Sequence, residues 1–282
     1  LGNWDRNRSD YSFWNHYYEG IRRASYFMQR IGENPEIEPQ LIKQYIAEAK
    51  ALRAYFYSCL IAQYGPVIIM PNIPIPPDAS IDEFSLPRNS YDECVDYIVS
   101  ELDKAILDLP VSQGNTREYG RWKKGMALAV KSRTLLYAAS PLFNGNTDYA
   151  AFKNLDGKVL INQTPDVNKW KRAADAAKEL IDMPDYALYK EFDASGNIKA
   201  YESLRNLWIK DWNSEVILCR LTPDKLYSID KNGSPYVLGG WSSWGATQQA
   251  VDAYFTANGR SITDPASGYT ETGTTATGNN FY

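Results

Sequence analysis

Apolar residues recur at helical spacing through the first part of the chain. Phe13, Tyr17, Ile21, Ala24 and Met28 mark one face of a helix over about residues 11–31. Gly32 closes that helix and Pro35 prevents its continuation. A second helix is expected from about Pro39 to Tyr64, stopped by Gly65-Pro66. A third starts at Ser90, which precedes Glu93 at capping-box spacing, and carries Tyr91, Val95, Ile98, Leu102, Ile106 and Leu109 as far as Pro110. A fourth spans about Lys123 to Ala139, and a fifth about Trp170 to Met183, each ended by a proline shortly afterwards. Pro71 to Pro77 holds four prolines and reads as an extended strap.

Beyond about residue 190 the helical period lapses. Glu215-Val-Ile-Leu-Cys-Arg220 has strand composition, and Tyr236-Val-Leu-Gly-Gly-Trp241-Ser-Ser-Trp244-Gly is rich in glycine, serine and aromatics. A last helix is expected over about Thr247 to Phe255. The pattern therefore divides the chain into a helical scaffold, residues 1–190, and a loop-rich segment, residues 191–282, packed on it as the ligand side of one continuous domain.

Two of the helices read as copies of one another. Ala47 matches Ala127, Ala49 matches Ala129, Arg53 matches Arg133 and Tyr57 matches Tyr137, at a constant offset. Small residues let a neighbouring helix approach, and the aromatic one turn on is expected to fill the gap between helices. A repeated helix pair cannot bury its own apolar face, so copies stack into an α-solenoid. The expected fold is mainly α, with tetratricopeptide-like helix pairs and short strands in the later segment. Solenoids are commonly binding scaffolds, which leans away from an enzyme.

Composition narrows the partners. A net charge of -4 and a pI near 5.2 argue against a nucleic-acid binder. No apolar run reaches the roughly 18 residues of a membrane span. Cys59, Cys94 and Cys219 lie far apart, with no zinc or paired-thiol spacing. Aromatics make up 13% of residues, with 21 Tyr and 8 Trp, more than an aliphatic core requires. Such side chains combine a flat apolar face with a polar tip.

Catalytic chemistry finds little footing. His16 stands alone on the first helix, which leaves one possible base for a triad and no His-rich metal site. No nucleophile elbow, P-loop or dinucleotide fingerprint occurs. Ser228-Ile-Asp-Lys231 fits a Ser-x-x-Lys spacing without its companion motifs. A glycosidase needs only two carboxylates, but Glu48, Asp103 and Asp175 sit beside basic residues as solvated helix surface does. The sharper signal is Trp241 and Trp244, flanked by Gly239, Gly240 and Gly245. Exposed indoles pack on the apolar face of a sugar ring, and the glycines are expected to let backbone approach a ligand. Trp4, beside Asn3, Asp5 and Arg6, is a second candidate of the same kind.

Several segments together resemble the SusD/RagB family: Trp14-x-x-x-Tyr18-x-x-Ile21, Glu48-Ala-Lys-Ala-Leu-Arg-Ala-Tyr55 running to Tyr64-Gly-Pro-Val67, Arg121-Trp-x-x-Gly125-x-Ala127, Ala173-Ala-Asp-Ala-Ala177 followed by Tyr186-x-Leu188, and Gln248-x-x-Val-Asp-Ala-Tyr254 with Asn258-Gly259. The resemblance implies an outer-membrane lipoprotein of Bacteroidetes, exposed at the cell surface, lipid-anchored and non-catalytic. It implies a glycan ligand delivered to a TonB-dependent transporter of the SusC kind; no cofactor, metal site or nucleic-acid partner is expected. It also implies a longer protein than this chain, whose two ends read as cut. Ligand residues are expected from loop regions that here hold Asn3, Trp4, Tyr236, Trp241 and Trp244. Capture of peptides or another nutrient, or a generic protein-interaction scaffold, are the alternatives.

Overall fold

The computed structural model describes residues 12–112, 118–210, 212–219, 226–256 and 258–270. Its contacts divide the chain into two compact units, Leu1–Cys219 and Arg220–Tyr282.

Helices make the first unit. They are α1 (Trp14–Arg30), α2 (Pro39–Tyr64), the single turn α3 (Ile81–Phe84), α4 (Tyr91–Ile106), α5 (Lys124–Ala139), α6 (Asn168–Ile181) and α7 (Ala200–Ile209). The long helices pack in a row: α1 on α2, α2 on α4, α4 on α5 and α5 on α6. That is the tetratricopeptide-like stack the repeat predicts, since each helix finds its apolar partner in the next one along. Ala51, Ala54, Leu60, Ile98, Leu102, Ala105 and Ala127 are sealed from solvent at the centre of the row.

The helix ends follow the sequence signals. Pro39 opens α2, where its missing N–H costs nothing, and Gly65 closes it in a left-handed backbone at φ 67°. The Ser90 hydroxyl accepts the Glu93 N–H at 3.3 Å while the Glu93 carboxylate accepts the Ser90 N–H at 2.7 Å. Lys158 also donates to Glu93, which holds that carboxyl below its ordinary range. Replacing Ser90 by Ala is expected to cost about 1 kcal/mol of helical-unit stability, read from the urea midpoint. A second capping box, at Ser80 and Glu83, starts α3.

Tyrosine hydroxyls hold the stretch between α2 and α3. Residues 67–70 are extended but belong to no strand. Their backbone is satisfied instead by side chains: Tyr18 donates to the Ile68 carbonyl and accepts its N–H at 2.8 and 3.0 Å, Tyr57 accepts the Met70 N–H, and Asn89 accepts the Ile69 N–H. Burial pushes the Tyr18 hydroxyl up to about 12. The proline strap that follows is tied down by Arg22 donating to the Ile75 carbonyl at 2.9 Å. Part of the aromatic excess thus serves as backbone cement.

Three expectations fail. No sheet forms among the described residues, only three isolated antiparallel bridges, and residues 215–219 adopt turns and irregular backbone rather than a strand. Val216 and Ile217 are only half-buried and Leu218 is exposed, so nothing there offers a partner edge. Helix α7 was not signalled, because most of its apolar side chains, Tyr201, Leu204, Trp208 and Ile209, point to solvent. The repeat is also uneven: Arg53 and Tyr57 are buried, whereas Arg133 and Tyr137 are exposed. Tyr137 therefore fills no gap between helices.

The second unit is small. It contains α8 (Leu226–Gly233), the 3-10 turn Tyr236–Leu238, α9 (Gln248–Asp252) and the 3-10 turn Pro265–Ser267.

Candidate functional site

Helix α8 ends at Gly233, and the chain then doubles back on it. The Trp241 N–H donates to the Lys231 carbonyl, and the Ser243 and Trp244 N–H groups both donate to the Asn232 carbonyl at 3.0 Å. Gly240 donates to the Pro235 carbonyl and Ser242 to the Ser234 carbonyl. The Lys231 ammonium caps the Gly239 carbonyl. The last carbonyls of a helix lack intrahelical partners; here the returning loop supplies them.

Two backbone positions make this reversal possible. Gly239 sits in the left-handed region at φ 81°, which glycine enters without a Cβ penalty. At Gly240 a Cβ would lie 2.0 Å from the Ser234 carbonyl oxygen. Gly240 thus serves close approach of the loop to its own backbone and Gly239 its left-handed bend, whereas Gly245 has open space beside it. Ser242 is itself left-handed at φ 48°, and its hydroxyl accepts the Tyr236 N–H at 2.7 Å. Strain of this kind persists only where the surroundings over-determine it.

The outcome is a pinned loop that carries three large aromatics outward. Tyr236 is 80% exposed, Trp241 54% and Trp244 59%. These three predicted residues lie in one nine-residue turn. Trp4 and Asn3 fall outside the described residues. His16 lies on α1 beside Tyr17 with ring centres 6.0 Å apart, and no cluster of metal-ligating side chains occurs among the described residues. Among the described residues, no helix is long and apolar enough to cross a membrane.

Two of the cavities in the helical unit carry aromatic and charged linings that its sequence did not reveal. One, of about 810 Å³, lies along α1 and α2. Its floor is apolar, with Phe27, Leu52 and Phe56, and its rim carries internally neutralised charge. Arg121 pairs with Glu48 through both carboxylate oxygens and stacks over the Tyr45 ring at 4.7 Å. The other, of about 450 Å³, lies between α2 and α5 and is walled by Tyr55, Tyr91, Trp122, Arg133 and Tyr137. Cys59 borders it, and burial pushes its thiol pKa up, so it stays protonated at neutral pH. Tyr91 is 1% exposed, stacks on Phe143 at 3.9 Å, and leaves its hydroxyl without a hydrogen-bond partner among the described residues. Such an unmet buried group costs about 1–3 kcal/mol.

The chain is similar in sequence and fold to known proteins. Residues 3–136 match a family model, SusD-like_3, described as starch-binding associating with the outer membrane. The chain is SusD-like. Among solved structures it is similar to BT4246, at 33% identity and a TM-score of 0.60 over 68% of this chain and 32% of that one. It is also similar to a SusD-like protein (BF3747) from Bacteroides fragilis NCTC 9343, at 27% identity and a TM-score of 0.66 over 88% and 42%. A SusD-like carbohydrate binding protein (BF0978) from the same organism shares the fold at 19% identity and a TM-score of 0.61 over 90% and 42%. The chain therefore spans less than half the length of each of these structures. No curated protein matches it.

The SusD-like motifs acquire physical reasons here. Gly125 in Arg121-Trp-x-x-Gly125 has no side chain because a Cβ would meet the Tyr186 ring and hydroxyl within 2.5 Å. Tyr186, from the Tyr-x-Leu motif, occupies that space under the Lys123 ammonium at 5.3 Å.

Proposed function

We propose that this SusD-like chain binds glycan at the cell surface without catalysis and serves delivery to a TonB-dependent, SusC-like transporter of the outer membrane, the whole protein being held there by a lipid anchor. The observation that carries this reading is the aromatic turn Tyr236–Trp244, rigidly pinned and outward-facing. Indole and phenol faces pack on the C–H faces of sugar rings, while the Ser242 and Ser243 region offers hydroxyls for orientation. The family's description as starch-binding and outer-membrane-associated supports both the ligand class and the location. A loop cross-linked to a helix end gives up little conformational freedom on binding, which favours affinity.

Affinity electrophoresis in gels containing soluble polysaccharides tests it. Trp241→Ala and Trp244→Ala are each expected to weaken retention about tenfold or more, the scale of a buried aromatic anchor, with thermal unfolding of the helical unit unchanged. Undiminished retention in both variants would remove this loop from the site. Release of reducing sugar by the intact protein would overturn the non-catalytic reading.

A further inference from the structure

The cavity between α2 and α5 differs from the rest of the helical surface in the state of its arginine. Arg53, in the first copy of the repeat, is matched by Glu101 of the next helix. Arg133, in the second copy, makes no salt bridge among the described residues; its recorded ring contact is with Tyr137, at 5.9 Å. The next helix, α6, gives its Glu179 to Lys131 instead. No acidic residue lies within four positions of Arg133 on either side. A guanidinium carries five donors in a planar fork suited to a carboxylate.

The surroundings of that guanidinium are built rather than incidental. Arg133, Tyr137, Tyr55, Trp122, Thr134 and the sealed Tyr91 face one concavity of about 450 Å³, a volume in the range of small-molecule sites. The floor is aliphatic, from Ile61, Met126 and Val130. Tyr91 contributes the second independent sign, a buried hydroxyl left without a partner. Buried polar groups are almost always paired, and an exception calls for an explanation. An apolar floor, aromatic walls, one unmatched cation and one unmet hydroxyl describe a site for a ring that bears a carboxylate.

The geometry points to a second ligand site in the helical unit, between α2 and α5, that binds a ring carboxylate no larger than a disaccharide through Arg133, with Tyr137 and Tyr55 against the ring and the Tyr91 hydroxyl completing the polar contacts. The site is lined by residues of the first unit alone. A uronic acid and an aromatic acid both satisfy its chemistry.

Calorimetric titration of the 282-residue chain separates these sources. The probes are glucuronate and 4-hydroxybenzoate, with glucose and 4-hydroxybenzyl alcohol as uncharged counterparts. One acid is expected to bind saturably and its uncharged counterpart at least about tenfold more weakly, as loss of a charge-assisted bond implies. Arg133→Gln, at an exposed position that should not impair folding, is expected to weaken the acid by a similar factor. Tyr91→Phe should weaken it several-fold while the melting temperature of the free protein holds or rises, since the hydroxyl removed has no partner there; unchanged affinity in this variant would take the Tyr91 hydroxyl out of the site. Absence of saturable binding by both acids, or affinity unchanged in Arg133→Gln, would overturn the site.

Discussion

Arg53→Met is expected to destabilise the helical unit by about 3–5 kcal/mol, the cost of stranding a buried partner charge. Arg53 is 4% exposed and Glu101 3%. The guanidinium donates to the Glu101 carboxylate and, at 3.1 Å, to the Ser25 hydroxyl, while Lys104 donates to the other Glu101 oxygen at 3.0 Å. Removing Arg53 leaves a carboxylate in the seam where α1, α2 and α4 meet. Urea unfolding should show the loss as a lower midpoint with unchanged slope. The double variant Arg53→Met with Glu101→Leu should recover most of it, because apolar replacement of both partners removes the stranded charge. A double variant as unstable as the single one would mean that packing, not charge, dominates.

The pH dependence gives a second reading of the same pair. Burial alone would push the Glu101 carboxyl up, but the bonds from Arg53 and Lys104 outweigh it and hold it below its ordinary value. A folded value below the unfolded one means stabilisation that is present above the unfolded value, near pH 4.3, and is lost as pH falls through the folded value. In Arg53→Met only Lys104 still opposes burial, the largest influence on this carboxyl, so its folded value is expected to rise above the unfolded one and protonation to relieve the charge. The stability gap between the two proteins should therefore narrow as pH falls, first above about pH 4.3, where the variant's carboxyl takes up its proton, and then below it, where the parent's stabilisation is lost. A gap constant across that range would exclude Glu101 as the stranded group.

These contacts also show where sequence is informative. Helices α1, α2, α4, α5 and α6 were legible because each combines a 3.6-residue apolar period with a stop signal, such as Gly65-Pro66 or Ser90 with Glu93. Helix α7 carried no such face, since its apolar residues meet solvent. The run Glu215–Arg220 has strand composition, but among the described residues positions 215–219 meet no neighbouring strand, and strand propensity expresses itself only against a partner. The repeat located Arg53 and Arg133 as equivalents, yet not that one is matched and the other unmatched. That difference depends on which acid the following helix presents, a contact at a separation of 48 residues for Arg53 and Glu101. Trp241, Trp244 and Tyr236 were legible as a group from their glycine-rich setting. The physical role of those glycines was not, because it depends on the Ser234 carbonyl.

Gly240→Ala is the change expected to disable the aromatic turn without touching an aromatic residue. An alanine Cβ there would stand 2.0 Å from the Ser234 carbonyl oxygen and 2.5 Å from its carbon. Both are backbone atoms, so no flexible side chain can yield. The Gly240 and Ser242 bonds back to Pro235 and Ser234 would have to open, and Gly239 and Ser242 would lose the frame that keeps them left-handed. Overpacking of this kind costs about 1–3 kcal/mol even in adaptable cores; here the loop is expected to unpin altogether. Limited proteolysis should then cut within residues 234–245 at least tenfold faster than in the parent protein, as a locally opened segment would. Far-UV circular dichroism should keep the signal of α1, α2 and α4–α6. Glycan retention should fall as far as in Trp241→Ala, because binding would now have to restore the order the turn normally supplies. A variant that cuts no faster and retains glycan fully would show that the reversal tolerates a side chain and that its pinning is not what presents the aromatics.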